Sequence, residues 1–409
     1  MMMLSTGVQA QQYMRLWQGD ESQRIALTDA ASMSFTSNGI NVAGKDYSLS
    51  AIDSITIVKT VYIQWNGNSA IVNIPDAAKK DVQVSVNGGH VTITNSNVSE
   101  EMEFVLAGES NNGSLTYNGQ YKTKFHLNGL SLTSSSGGAM DIQCGKRIDL
   151  ILIDGTRNSL ADAKTGSQKA ALYCKGHLEM QGGGSLSVSG NCKHAISTKE
   201  YLLLKKNTGT LSILAAASDA LHVGQYFQMN GGTVSIDANT MADGIQVEAT
   251  SDASDVLNGQ VIIKGGTLNA TIAHEDCKGI KNGGSEDGKV TCGNITVTGG
   301  TININANGNG SRGIQTEASM LIASTDADTN ITISAAGNKC TLDGCSDDPH
   351  RCMGMKIDGN LSVTGGVTTV YQKDTSKTSR GVKVSGKYSR TGGTMNAVVI
   401  DANNKKVTP

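Results

Sequence analysis

Proline is almost missing from this chain, with 3 residues in 409 against 49 glycines. That imbalance excludes proline-rich linkers and a collagen-like helix, and it fits a protein with many tight turns between strands. Aromatic residues are also scarce, at 4 %. The few present do not recur at one position of the repeat described below, which argues against a flat aromatic platform of the kind that binds cellulose. An excess of either charge is absent as well: 34 Lys and Arg oppose 36 Asp and Glu, for a formal net charge of −2. No basic footprint for nucleic acid exists. No apolar run reaches the roughly 20 residues that a membrane-spanning helix needs. Short catalytic signatures are missing too: there is no GxSxG, no HExxH and no P-loop. The stretch Asn307–Gly310 lies in a bend between strands and is no dinucleotide fingerprint. No CxxC pair and no His pair at ligand spacing occurs, which argues against zinc, and the 7 His residues are scattered without evident partners.

What the chain does contain is a repeat. It reads GGTVSIDANTMADGIQVE (231–248), GGTLNATIAHEDCKGIKNG (265–283) and GGTININANGNGSRGIQTE (299–317). Each copy has a Gly-Gly turn, an alternating strand, a polar bend, and a second strand opened by Gly-Ile. A unit that short cannot bury its own apolar face and must stack on its neighbours. The turn glycine recurs at Gly184, Gly209, Gly232, Gly266, Gly300, Gly366 and Gly393. A small residue before the second strand moves with it, at Ala195, Ala220, Gly244, Gly279, Gly313, Gly354 and Gly381. The shortest steps approach one turn of a three-sided parallel β-helix. The fold class expected is therefore all-β, a right-handed parallel β-helix solenoid with an N-terminal β cap or extension.

Stacking turns equivalent positions into rows. The residue before the small one is His194, Asp219, Asp243, Lys278, Arg312, Met353 and Arg380. Two residues past the small one stand Ser197, His222, Gln246, Lys281, Gln315, Lys356 and Lys383. Taken together, the rows change from acidic to basic along the stack.

Ahead of the repeat, residues 13–57 read as a small separate β segment, with strand-like YMRLW, INVAG and DSITI. Residues 60–133 are strand-rich without a fixed period, with Asn87-Gly88-Gly89 marking a hairpin turn. Residues 1–12 end a secretion-signal-like stretch at Val8-Gln9-Ala10, though its apolar part is short for such a signal. The eight cysteines at 144, 174, 192, 277, 292, 340, 345 and 352 allow two readings. One is disulfides, with Cys340, Cys345 and Cys352 in one loop. The other, preferred, is buried thiols filling small positions between stacked strands.

The blocks LNGLSLTSSSGGAMDIQCGKRIDLILIDGTRNSLAD (127–162), AALYCKGHLEMQGGGSLSVSGNCKHAI (170–196), SDALHVGQYFQMNGGTVSI (218–236) and ADGIQVE (242–248) occur in that order. They resemble the bacterial carbohydrate-binding domain family, whose members look like polysaccharide lyases. The resemblance covers residues 60–401. It implies an extracytoplasmic β-helix, calcium, and binding to cellulose or pectic polysaccharide. Residues 13–57 resemble the N-terminal β segment of exported proteins from Bacteroides-like bacteria. Together these resemblances imply export to the periplasm, cell surface or medium.

The family's repeated Asp-Asp-Gly-Ile motif matches Ser218-Asp219-Ala220-Leu221 and Ala242-Asp243-Gly244-Ile245, with the first Asp of each pair missing. Calcium needs six to eight oxygens. The metal residues expected are Asp219, Asp243, Glu248 and Asp276, with Asp252, Asp255 and Glu275 nearby and His194 on the neighbouring rung. The alternative is that Asp219 and Asp243 are bend residues accepting backbone hydrogen bonds.

For an acidic glycan, Lys278, Lys281, Arg312 and Lys356 form the cationic rows, and Tyr173 and Tyr226 are the aromatic contacts. Each has a plain reading too, as solvated charge or as packing. A lyase needs a base, and Lys278, which follows Asp219 and Asp243 in one row, is its weak candidate. The function expected is binding of a pectin-, uronan- or cellulose-like polysaccharide without catalysis. The alternatives are a calcium-dependent polysaccharide lyase and a structural or adhesive surface protein.

Overall fold

A computed structural model describes residues 13–18, 21–26, 33–42, 44–251, 254–283, 285–286, 289–290, 292–342, 352–372, 381–397, 399–400 and 406–407. The segment 1–12, Asp252, Cys345 and Arg380 lie outside the described residues. Among the described residues the chain is all-β, with only two short 3-10 turns, Leu49–Ala51 and Asp76–Ala78. Among the described residues no helix is long and apolar enough to cross a membrane.

A three-stranded antiparallel sheet opens the chain, with Tyr13–Gln18 between Glu21–Ala26 and Ser54–Val58. A second small sheet pairs Gly39–Val42 with Ser34–Phe35 and Lys45–Ser48. They share a core of Met14, Leu16, Ile25, Ile40, Val42 and Tyr47. Arg15 reaches from this unit to the buried Glu103 of the main body. Beyond it, Val82–Asn87 and Gly89–Asn95 form the hairpin expected at Asn87-Gly88, with Gly88 at φ +59°.

The rest is built on a fourteen-stranded and a twenty-stranded sheet. Their sheet topology corrects the expectation of a right-handed parallel β-helix solenoid. The long strand Thr123–Thr133 pairs with Ile148–Leu152 through its first half and with Arg157–Ala161 through its second. At the other end, Val261–Ile272 pairs with both Phe227–Met229 and Thr233–Ile236. Between them run two series of parallel pairings. One passes through Leu178–Gln181 and Leu202–Leu204. The other passes through Ser185–Gly190 and Thr210–Ala216. The hydrogen bonding thus closes a ring of 10 parallel strands, accompanied by further sheets.

The physical reason lies in the glycines. The repeat's Gly-Gly pairs look like turns that end a strand. Gly265-Gly266 and Gly299-Gly300 instead sit inside single strands, Val261–Ile272 and Ile295–Ala306, with Gly266 at φ +87° and Gly300 at φ +92°. The register shifts across Lys264–Thr267. A left-handed glycine bends a strand without breaking its ladder, so two expected faces fuse into one continuous sheet.

The in-register rows themselves are present. In the fourteen-stranded sheet, Ile196, Leu221, Ile245, Ile280, Ile314, Met355 and Val382 are successive partners. All are buried in one core. The small residue before each is dictated by packing. A Cβ on Gly279 would lie 2.6 Å from the Gly313 carbonyl oxygen and 2.7 Å from Ile304 Cγ2. Gly279→Val is expected to destabilise the protein by about 1–3 kcal/mol through overpacking. Equilibrium denaturation checks this, and an unchanged midpoint would refute the close approach.

Cysteine usage is mixed. Cys144, Cys174, Cys277 and Cys352 are buried free thiols, Cys192 and Cys292 are half-buried free thiols, and Cys340 is disulfide-bonded. Burial pushes the Cys174 and Cys277 thiols up to about 12. They act as small apolar fillers.

Candidate functional site

Successive side chains of a strand point to opposite faces. In the fourteen-stranded sheet the apolar row points inward and a polar row points out. The outward row runs Asp141, Tyr173, Ser197, His222, Gln246, Lys281, Gln315, Lys356 and Lys383, each in register with the next. Beside it stands the row His194, Asp219, Asp243, Lys278 and Arg312.

The second row is stitched together by its own side chains. Asp243 N–H donates to Asp219 Oδ1 at 3.0 Å, and Lys278 N–H donates to Asp243 Oδ1 at 2.8 Å. One oxygen of each carboxylate is therefore occupied by the backbone of the next strand. The remaining Oδ2 of Asp219 lies 2.9 Å from His222 Nδ1 and 3.3 Å from His194 Nδ1. That of Asp243 lies 3.5 Å from Lys281 Nζ. Burial opposes ionisation of Asp219, but the two imidazoles beside it, His194 and His222, outweigh it and hold its carboxyl well below the usual range. Burial raises Asp243 against the pull of Lys281 and Lys278. Burial also lowers His194. Two carboxylates one strand apart are thus pushed in opposite directions by their different neighbours.

The other expected metal residues turn elsewhere. Asp276, at φ +54°, presents its carbonyl to Lys278 Nζ and its Oδ1 at 3.2 Å from it. Glu248 Oε2 lies 3.7 Å from His222 Nε2 on a half-exposed side chain. Asp255 accepts from Gln225 and from Leu257 N–H, and Glu275 accepts from Thr341 N–H. Calcium requires a convergent shell of oxygens. Asp219, Asp243, Glu248 and Asp276 do not supply one, and Lys278 and Lys281 crowd the place where it would be, so these residues do not fit calcium. The group that does converge is His194, Asp219 and His222, whose ligand atoms all lie within 4.8 Å of one another. The histidine rings stack at 4.2 Å and 19°. These two histidines share a carboxylate, although the sequence presents them as scattered.

The expected cationic residues are already paired. Lys278 is held by Asp276, Lys281 faces Asp243, Arg312 donates to Gln315, and Lys356 lies 3.3 Å from Asp358. Lys278, the weak catalytic candidate, is 8 % exposed with its ammonium turned onto Asp276, so it is not presented to a substrate as a base. Tyr226 stacks on Tyr201 at 4.6 Å and 18°, and Tyr201 meets His177 at 4.5 Å with the rings tilted by 44°. All three precede consecutive strands, so these aromatic rings do recur at one position, contrary to the sequence expectation. Their inner faces cover one another, so the rings form a stack and not a flat platform along the sheet.

Tyr173 sits differently. It lines an open groove of about 750 Å³ with Asp141, Gln143, Gln168, Lys169, Lys175 and Lys199. Gln143 donates to Asp141 Oδ1 at 2.7 Å. Gln168 donates through Nε2 to Asp162 and to the Ala163 carbonyl, leaving Oε1 without a protein partner. Lys169 Nζ stands 4.9 Å over the Tyr173 ring, a cation–π distance. The Lys175 and Lys199 side chains are exposed, and neither has an acidic partner among the described residues. Sequence reasoning missed these lysines. The signal was available: Lys175 and Lys199 each stand two residues past an outward row position, Tyr173 and Ser197, on paired strands.

Residues 87–281 match the model of the family described as carbohydrate-binding domain-containing protein. The match confirms the sequence resemblance over that segment, which contains the groove, and it supports glycan binding in general. A solved structure described as the polysaccharide lyase-like protein from C. thermocellum, gadolinium derivative, is similar at 18 % identity and a TM-score of 0.48. That match covers 82 % of this chain and 100 % of the other. No curated protein matches.

Proposed function

We propose that this protein binds an anionic polysaccharide of the uronan or pectin class, outside the cytoplasm, and does not cleave it. One observation carries the reading: Lys169, Lys175 and Lys199 surround an open polar groove, and none of them is held in an ion pair among the described residues, although Asp141 also lines it. Cations left unpaired at a groove are suited to a polymer that brings its own carboxylates. Asp141, Gln143, Gln168 and the Tyr173 hydroxyl add donors and acceptors for sugar hydroxyls. A neutral cellulose-like chain is a weaker fit, because Tyr201 and Tyr226 cover each other's faces in a stack and do not lie side by side as a flat platform.

Absence of cleavage is the other half of the proposal. The candidate base Lys278 is tied to Asp276, and the carboxylates expected to hold calcium are engaged by backbone N–H groups and lysines. Affinity electrophoresis against polygalacturonate and a neutral β-glucan tests both halves. Retardation by polygalacturonate that weakens with added salt is expected, with no unsaturated product absorbing in the ultraviolet. Formation of that product in the presence of calcium would establish the lyase reading instead. Retardation by no glycan would favour a structural or adhesive role.

A further inference from the structure

We propose that His194, Asp219 and His222 form a binding site for a zinc-class divalent cation. The site is separate from the lysine groove and does not depend on the glycan reading.

The donor set is two imidazoles and one carboxylate. Nitrogen donors disfavour calcium, which takes oxygen, and suit zinc and its neighbours. Zinc holds such ligands at about 2.0–2.1 Å, so adjacent donors of a tetrahedral site stand about 3.3 Å apart. Asp219 Oδ2 lies 2.9 Å from His222 Nδ1 and 3.3 Å from His194 Nδ1. The spacing needs only small adjustments of the side chains to admit an ion.

Three supports hold the donors in place. His194–Thr198 and Leu221–Gly224 are hydrogen-bonded neighbours in one sheet, with Ser197 opposite His222. The N–H of Asp243 holds Oδ1 of Asp219, which turns Oδ2, the oxygen already hydrogen-bonded with His222 Nδ1, toward both histidines. Glu248 Oε2 stands 3.7 Å from His222 Nε2, on the far side of that ring from Nδ1. That distance is too long for a hydrogen bond, but a small turn of the half-exposed Glu248 side chain would let it accept from Nε2–H and favour the tautomer that offers Nδ1 to a metal.

His194 supplies a further observation. Its Nδ1 lies 3.3 Å from the Asp219 N–H and 3.3 Å from Asp219 Oδ2. A neutral Nδ1 that accepts the backbone N–H has its lone pair beside a carboxylate oxygen. A cation between them turns that repulsion into attraction. His222 is half-exposed, so a fourth position is left toward solvent for water.

The test uses the full chain, stripped of metal with a chelator and titrated with zinc by calorimetry. Cobalt then replaces zinc for a visible spectrum. One equivalent of zinc is expected, together with a raised unfolding temperature and tetrahedral cobalt bands lacking thiolate charge transfer. His222→Gln is expected to weaken zinc binding by about a hundredfold, and Glu248→Gln by about tenfold, while Asp243→Asn leaves it unchanged. Failure of the unaltered protein to bind zinc overturns the proposal whatever the variants do. So does a thiolate-to-cobalt band, which would assign the metal to cysteines, or undiminished binding by a folded His222→Gln protein.

Discussion

Replacing Phe125 by alanine lowers the stability of this protein by about 3–5 kcal/mol. Phe125 is fully buried and lies opposite Phe104 on the neighbouring parallel strand, with ring centroids 5.4 Å apart. Tyr117 meets it edge-on at 5.1 Å and 87°, and meets Phe104 at 5.4 Å. Phe104 and Phe125 belong to the twenty-stranded sheet and Tyr117 to the fourteen-stranded one, so the three rings join the two. The cost sits at the upper end for large-to-small changes because the site cannot collapse. Asn95 Nδ2 donates to the Tyr117 hydroxyl at 2.9 Å, and that hydroxyl shares a 2.7 Å hydrogen bond with Thr123. Burial, the largest influence, pushes the Tyr117 phenol up to about 12, so the group stays neutral and pinned. Chemical denaturation measures the loss. A value below about 1 kcal/mol would mean that the rings repack freely and do not couple the sheets.

The second large effect is on binding. The double substitution Lys175→Ala with Lys199→Ala is expected to cut affinity for polygalacturonate about thirtyfold at low salt. In water a lysine and a carboxylate about 4 Å apart attract by roughly 1 kcal/mol. Two such contacts give about 2 kcal/mol, and about 1.4 kcal/mol is tenfold. The informative control is Lys281→Ala with Lys356→Ala. These ammoniums already face Asp243 and Asp358 at 3.5 and 3.3 Å, so their loss is expected to change affinity less than about twofold. Affinity electrophoresis with both double variants decides between the two faces. The opposite ranking would move the glycan from the Tyr173 groove to the lysine and arginine rows.

A repeat carries the register of its strands but not the partners of its side chains. The adjacency of Asp219, Asp243 and Lys278 was legible, because the small residue and the following aliphatic residue recur together and fix the register. The roles of those residues were not legible. Asp219 Oδ1 accepts the N–H of Asp243, as a bend residue would, while its Oδ2 meets two histidines drawn from different strands. The pairing of Lys281 with Asp243 joins residues on separate strands, so inspecting the charge pattern alone left Lys281 looking available. Lys175 and Lys199 were equally visible as lysines, but that neither enters an ion pair among the described residues is a fact of three-dimensional placement.

The amino-acid sequence by itself determined that the chain is β-structured, that successive strands stack in register, and which aliphatic residues face the core. Alternation and spacing are local properties, and each strand must bury the same face as the one before it. Only the tertiary structure decided how the strands close. Gly266 and Gly300 bend strands that a glycine pair was expected to end, because a positive φ can be accommodated inside a ladder when the neighbouring strand shifts with it. It also decided which charges cancel and which stay free, since electrostatic partners are set by distance in space and not by separation along the chain.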